Sequence, residues 1–152
     1  MTIEMVIQII TATIGSLSFG VLYNVRGKNL FAVAIGGGLA WLLYLVLFNF
    51  IGLKNETICY FLVSLVISIY CEIMARVFKA PTTVFIAPSL IPLVPGASLY
   101  YTMTSMFSGD IVVFAEKALA TLQLAAALAF GVIISSAFTK IINKYFIHKR
   151  GV

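Results

Sequence analysis

Glu72 stands inside an apolar run, with Arg76 four residues after it and Ser68 and Ser64 four and eight residues before it. In a helix this spacing sets all four side chains in one row, a polar stripe Ser64-Ser68-Glu72-Arg76, with the glutamate N-terminal to the arginine in the favourable i,i+4 order. Such a row suits a polar pathway, since ionisable residues within a membrane by default line one. Glu72 lies about six residues, roughly 9 Å of helix, from the end of its run at Phe78, too deep for a short carboxylate to reach the headgroups. Keeping it charged in lipid costs roughly 2.5–3.5 kcal/mol or more, so it is expected to face the bundle interior, take a proton or pair with a cation. The bland alternative is an Arg76 ion pair that only orients the helix.

A second chemical signal is the proline cluster. Pro81, Pro88, Pro92 and Pro95, followed by Gly96, are all the prolines of the chain. In a helix Pro88, Pro92 and Pro95 would each remove a donor and free the carbonyls of Val84, Pro88 and Ile91. Their spacing would gather all four prolines in one narrow wedge of the helical wheel. At membrane depth such carbonyls need partners, and broken backbone is tolerated where it is buried in protein or lines a wet cavity. Transporters use it to hold ions and polar solutes. A merely kinked helix is the alternative.

The elements that position these residues follow from composition. Of 152 residues 62% are hydrophobic and 10% charged, with a mean hydropathy of +1.10, against roughly 25% charged in ordinary soluble domains. There are too few polar side chains to cover a water-soluble fold, so the surface must face lipid. Turn and charge residues divide the chain into five apolar stretches, 5–25, 30–51, 57–78, 84–107 and 111–142, each near or above the roughly 20 residues of a membrane-spanning helix. This predicts one all-α integral membrane domain over 1–152, with five transmembrane helices, the fourth broken by prolines.

Basic residues orient it. Arg26, Lys28, Arg76, Lys79, Lys140, Lys144, Lys149 and Arg150 fall on one side, and only Lys54 and Lys117 on the other. That bias places the N-terminus outside and the C-terminus in the cytoplasm. The basic residues are scattered singly, which argues against nucleic-acid binding. Cys59 and Cys71 would lie about 18 Å apart on one helix, too far for a disulfide. His148, the only histidine, has no companion ligand, so no metal or cofactor is expected. One loop aspartate and no nucleophile with a base at depth argue against an enzyme. Thr11-Gly15-Ser18, Gly36-Gly37-Gly38 and Ala120-Ala127-Gly131 read as close-packing faces, and Gln123 as a group that would hydrogen-bond a neighbouring helix as readily as a solute. Tyr23, Trp41, Tyr44, Tyr60, Tyr70, Tyr100, Tyr101 and Tyr145 mostly read as interface anchors. The N-terminal run lacks a basic leader and a small-residue cleavage site, so it is expected to be retained.

The residues Glu72-Ile-Met-Ala-Arg76, Lys79-Ala-Pro81-Thr-Thr-Val-Phe85 and Ile91-Pro-Leu-Val-Pro95-Gly96, followed by Tyr100, resemble the threonine/serine exporter family. The likeness is to its split type, in which a small five-span subunit resembling the family's C-terminal half works with a larger subunit carrying the N-terminal half. The resemblance implies a subunit of a secondary transporter in the bacterial cytoplasmic (inner) membrane, exporting threonine and serine at the expense of the proton gradient. For some relatives it implies a small dicarboxylate such as succinate. Opposite-sided termini fit an inverted-topology pair of five-span units. Glu72, Arg76, Ser64, Ser68, Pro88, Pro92, Pro95, Gly96 and Tyr100 are then the expected substrate and proton pathway, at the interface with the larger subunit. A structural subunit that only stabilises its partner, and a homo-oligomeric pore, are the competing readings.

Overall fold

A computed structural model describes residues 2–107 and 109–150, with side chains as far as Ile141. The basic tail residues Lys144, Lys149 and Arg150, with Tyr145 and His148, lie outside the described side chains. Every element is helical, and among the described residues there is no strand: in lipid a helix satisfies its own backbone, whatever the β-branched content of Ile3–Leu22 would favour in water. The helices are α1 (Ile3–Leu22), α2 (Lys28–Leu45, continued by a π-helical turn Val46–Phe50), α3 (Glu56–Phe78), α4 (Thr83–Leu90, followed by a 3₁₀ turn Ile91–Leu93), α5 (Gly96–Phe107) and α6 (Ile111–Arg150).

Local chemistry sets the ends. Asn55 accepts the Ile58 N–H at 3.4 Å at the start of α3, and Asp110 accepts from Val112 and Val113 at 3.1 and 3.2 Å at the start of α6. α1 and α3 both finish in a Schellman motif without glycine. Asn24 (φ 58°) and Lys79 (φ 52°) take the left-handed position, and the Val25 and Ala80 N–H groups reach back to Gly20 and Ala75. α1 therefore stops at Leu22, short of the expected Val25, which turns inward and is buried.

Four helices, Ile3–Leu22, Lys28–Phe50, Glu56–Phe78 and Ile111–Ile141, are long and apolar enough to cross a membrane. The expected fourth crossing is two pieces, Thr83–Leu93 and Gly96–Phe107, bent by 59°, and the spans number five if this pair is one broken crossing. The single proline-lined wedge does not exist, because no one helix carries all four prolines. Pro81 is exposed before α4, Pro88 is buried inside it, Pro92 belongs to the 3₁₀ turn, and Pro95 is buried just before α5. Nor is the Ile91 carbonyl free, since it accepts the Val94 N–H at 3.0 Å.

The core gathers Val33, Val63, Ile67, Cys71, Phe85 and Leu93 from α2, α3, α4 and the turn that follows it. Cys71 is a free thiol in this core and Cys59 a buried free thiol elsewhere on the same helix, α3. α2 packs on α1, α3 and α4, α3 packs on α4 and α6, and α5 packs mainly on α6. Three consecutive glycines let α2 touch two neighbours: Gly37 and Gly38 lie against Ser16 and Thr13 of α1, and Gly36 against Ser89 of α4. Some of the aromatic residues pack against the helices around them. Tyr44 packs on Trp41, Phe48 and Tyr60, and the Tyr70 hydroxyl donates to the Ala32 carbonyl at 2.9 Å.

Candidate functional site

A cavity of about 550 Å³ opens where α3 ends, α4 begins and α6 passes both. α3 contributes Glu72, Ala75 and Arg76; the turn and the start of α4 contribute Ala80, Pro81, Thr82, Thr83 and Ile86; α6 contributes Val132, Ser136, Thr139 and Lys140. The αL conformation of Lys79 and the proline two residues later end α3 abruptly, which brings Thr82 and Thr83 back beside Glu72. The lining holds one carboxylate, two cations and four hydroxyls.

Glu72 is only 9% exposed, whereas Arg76 and Lys140 are exposed at the cavity's edge. The expected i,i+4 ion pair is not formed, and among the described residues no cationic nitrogen comes within 4.0 Å of the Glu72 carboxylate. Row spacing puts the two side chains on one face of α3, but their burial differs: Glu72 lies beneath α6 and Arg76 stands clear of it. Both remain available to a third molecule. Arg76 and Lys140 can hold an anion, Glu72 a cation or a proton, and the hydroxyls a polar group.

Ser64 and Ser68 continue the row away from the cavity and are fully buried. Ser64 donates to the Phe61 carbonyl at 2.9 Å and is pressed by Gly131 of α6. One helical turn along this parallel pair brings Ser68 level with Ser135, and a second brings Glu72 level with Thr139. The Ser68 and Ser135 hydroxyls are both buried without a hydrogen-bond partner. The stripe is thus covered by α6 of the same chain.

Other expected site residues go elsewhere. Pro88 is sealed in the core, and Pro92 lines a separate hollow of about 250 Å³ with Gln8, Thr11, Ala12, Gly15, Trp41 and Ile91. Gly96 is exposed at the start of α5, Pro95 is buried beside it, and Tyr100 is exposed on α5 with its ring 5.6 Å from Tyr101. Tyr101 in turn faces the Lys117 ammonium, 5.8 Å from the ring centroid. Gln123 lines an apolar hollow between α3 and α6 with Phe61 and Phe130. Thr82, Thr83, Ser136, Thr139 and Lys140 were absent from the sequence-derived site. Thr82 and Thr83 sit inside the motif following Lys79, while Lys140 had been counted only for orientation.

The family model described as Threonine/Serine exporter, ThrE, matches residues 8–138 of the chain, which include Glu72, Arg76 and the whole proline segment. No curated protein and no solved structure matches it.

Proposed function

The chain belongs to the threonine/serine exporter family, and from that membership we propose that the Glu72 cavity is the solute site of an exporter of small hydroxy amino acids. It is a multi-pass membrane protein of an exporter-type transporter family, which is not an enzyme class. The observation that carries the proposal is the cavity lining: Arg76 and Lys140 at the edge, buried Glu72 at the floor, and hydroxyls from Thr82, Thr83, Ser136 and Thr139 between them.

This arrangement complements each part of threonine or serine. The solute carboxylate is held by Arg76 and Lys140 through charge-assisted hydrogen bonds. Its ammonium goes to Glu72, and its hydroxyl to the threonine and serine side chains. Proton coupling follows from competition at one carboxylate: a proton on Glu72 displaces the ammonium. The basic residues Arg26, Lys28, Arg76, Lys79 and Lys140 support a cytoplasmic position for this end of the bundle, which makes the cavity the loading side in this reading. The expected larger subunit supplies the second half of an inverted pair, in a bacterial cytoplasmic membrane.

A second reading is favoured by the excess of cations. Arg76 and Lys140 could each take one carboxylate of a dicarboxylate such as succinate, provided Glu72 is protonated. Efflux of radiolabelled threonine, serine and succinate from cells expressing the chain, with and without the adjacent larger subunit, tests both readings. Threonine or serine efflux abolished by Glu72→Gln and Arg76→Gln at normal membrane insertion is the expected result. Efflux unchanged in both variants would leave the chain a structural subunit.

A further inference from the structure

The hollow at Pro92 lies at the opposite end of the broken segment from the Glu72 cavity. Tyr70 of α3 bonds Ala32 near the start of α2, so the Glu72 end of α3 adjoins the beginning of α2. Gln8 and Trp41 sit towards the start of α1 and the end of α2, and are therefore at the other end of the bundle. The stretch 81–92 runs between the two: Pro81, Thr82 and Thr83 line one hollow, Ile91 and Pro92 the other. Between them Phe85, Pro88, Ser89 and Leu90 are all buried. Ser89 donates to the Val33 carbonyl at 3.4 Å and sits against Gly36, where a side chain would collide with it. α4 is a partition, packed on α1, α2 and α3 along one face, with Ala87 exposed on the other.

The chemistry of the Pro92 hollow differs from that of the Glu72 cavity. Trp41 Nε1 donates to Gln8 Oε1 at 3.2 Å, which fixes the amide and leaves its NH₂ group without a hydrogen bond in an otherwise apolar stretch. Thr11 gives its proton to the Ile7 and Gln8 carbonyls at 3.0 and 2.9 Å, so its oxygen lone pairs face outward as acceptors. Pro92 brings no N–H of its own. The hollow therefore offers donors and an acceptor and carries no formal charge.

We infer that the hollow formed by Gln8, Thr11, Trp41 and Pro92 is a second, weaker station for the same net-neutral amino acid, with α4 as the partition between the two. The inference rests on the reading of the Glu72 cavity as the solute site. At this station the Gln8 NH₂ donates to the solute carboxylate, the Thr11 oxygen accepts from its ammonium, and the indole covers its apolar part. Replacing the charged partners of the first site by neutral ones costs affinity, which suits release. A dianion finds no cation here, so the station also separates an amino acid from a dicarboxylate.

Trp41 is the only tryptophan of the chain, so its fluorescence reports this hollow alone. Both hollows are lined by this chain, and the full chain in lipid nanodiscs is the material for the test. L-threonine should produce a saturable change in Trp41 emission at concentrations at least about a hundredfold above those that saturate binding of radiolabelled threonine, as expected when the partners of both its carboxylate and its ammonium become neutral. Succinate should produce none. Gln8→Ala and the near-isosteric Thr11→Val should abolish the emission change and leave the tighter radioligand binding intact, while Glu72→Gln should do the reverse. Radioligand binding with a silent Trp41 overturns the second station and leaves the first standing. An emission change lost in Glu72→Gln but kept in Gln8→Ala also overturns it. Neither binding nor emission change overturns both readings.

Discussion

Gly131 of α6 lies directly on Ser64 of α3, so closely that a side chain at 131 would meet the Phe61 carbonyl oxygen at 2.8 Å and the Leu65 nitrogen at 2.9 Å. This backbone-to-backbone contact sets the register that brings Thr139 and Lys140 to Glu72. Because the obstructing atoms are main chain, they cannot rotate aside. Gly131→Ala is expected to lower the thermal stability of the detergent-solubilised protein by about 1–3 kcal/mol and to weaken threonine binding as the α6 side of the cavity shifts. Gly15→Ala, with nothing within 4 Å of the added carbon, is the control that should leave stability nearly unchanged. Equal melting temperatures for the two variants would contradict the contact.

Removal of a cavity cation should act on affinity. Arg76→Gln and Lys140→Gln each exchange a charged hydrogen-bond partner for a neutral one, a loss of about 1–1.5 kcal/mol. The expected change is roughly a fivefold to tenfold rise in the threonine concentration for half-maximal binding. Scintillation-proximity binding reads this directly, and binding unchanged in both variants would remove these residues from the site.

Ser135 tests the interior of the α3–α6 contact. Its hydroxyl is buried and unpartnered, a burden of about 1–3 kcal/mol. Ser135→Ala should therefore raise the unfolding temperature. A comparable fall would mean that the hydroxyl has a partner.

Lys79 holds a left-handed backbone (φ 52°) at the end of α3, a conformation glycine adopts without strain. Lys79→Gly should stabilise the protein by about 1 kcal/mol, measured as a shift in thermal unfolding. It should leave the Thr82 and Thr83 side of the cavity in place, so threonine binding is expected to stay within twofold. Destabilisation would show that the lysine side chain contributes more than its backbone costs.

Pro92 and Pro95 are expected to maintain the bend. Pro92→Ala with Pro95→Ala restores two donors across residues 91–95, so the 59° bend should open. Spin labels at Thr83 and Met103 would then read a longer distance by electron paramagnetic resonance. An unchanged distance would assign the bend to packing of α4 on α2 instead.

The crossing helices and the interruption in the fourth were legible because they rest on local properties: runs of apolar residues, proline's missing N–H, and charges at the ends. Glu72 was legible for the same reason, as a carboxylate out of place. Lys140, Thr139 and Ser136 were not, because their meeting with Glu72 depends on how α6 registers on α3 across about 67 residues of sequence, through the glycine at 131. The end of α1 was misplaced because Asn24 supplies the left-handed turn that glycine usually supplies. The prolines were legible as breakers, but their destinations were not, since a helical wheel presumes the helix they interrupt.

α5 packs mainly on α6 and turns Leu99, Tyr100, Met103, Met106 and Phe107 to its surroundings. Its 12 residues span about 18 Å, well short of the roughly 30 Å of a bilayer's hydrocarbon core. Neither piece of the bent pair reaches across such a core by itself, so a passage at this point would take Thr83–Leu93 and Gly96–Phe107 together.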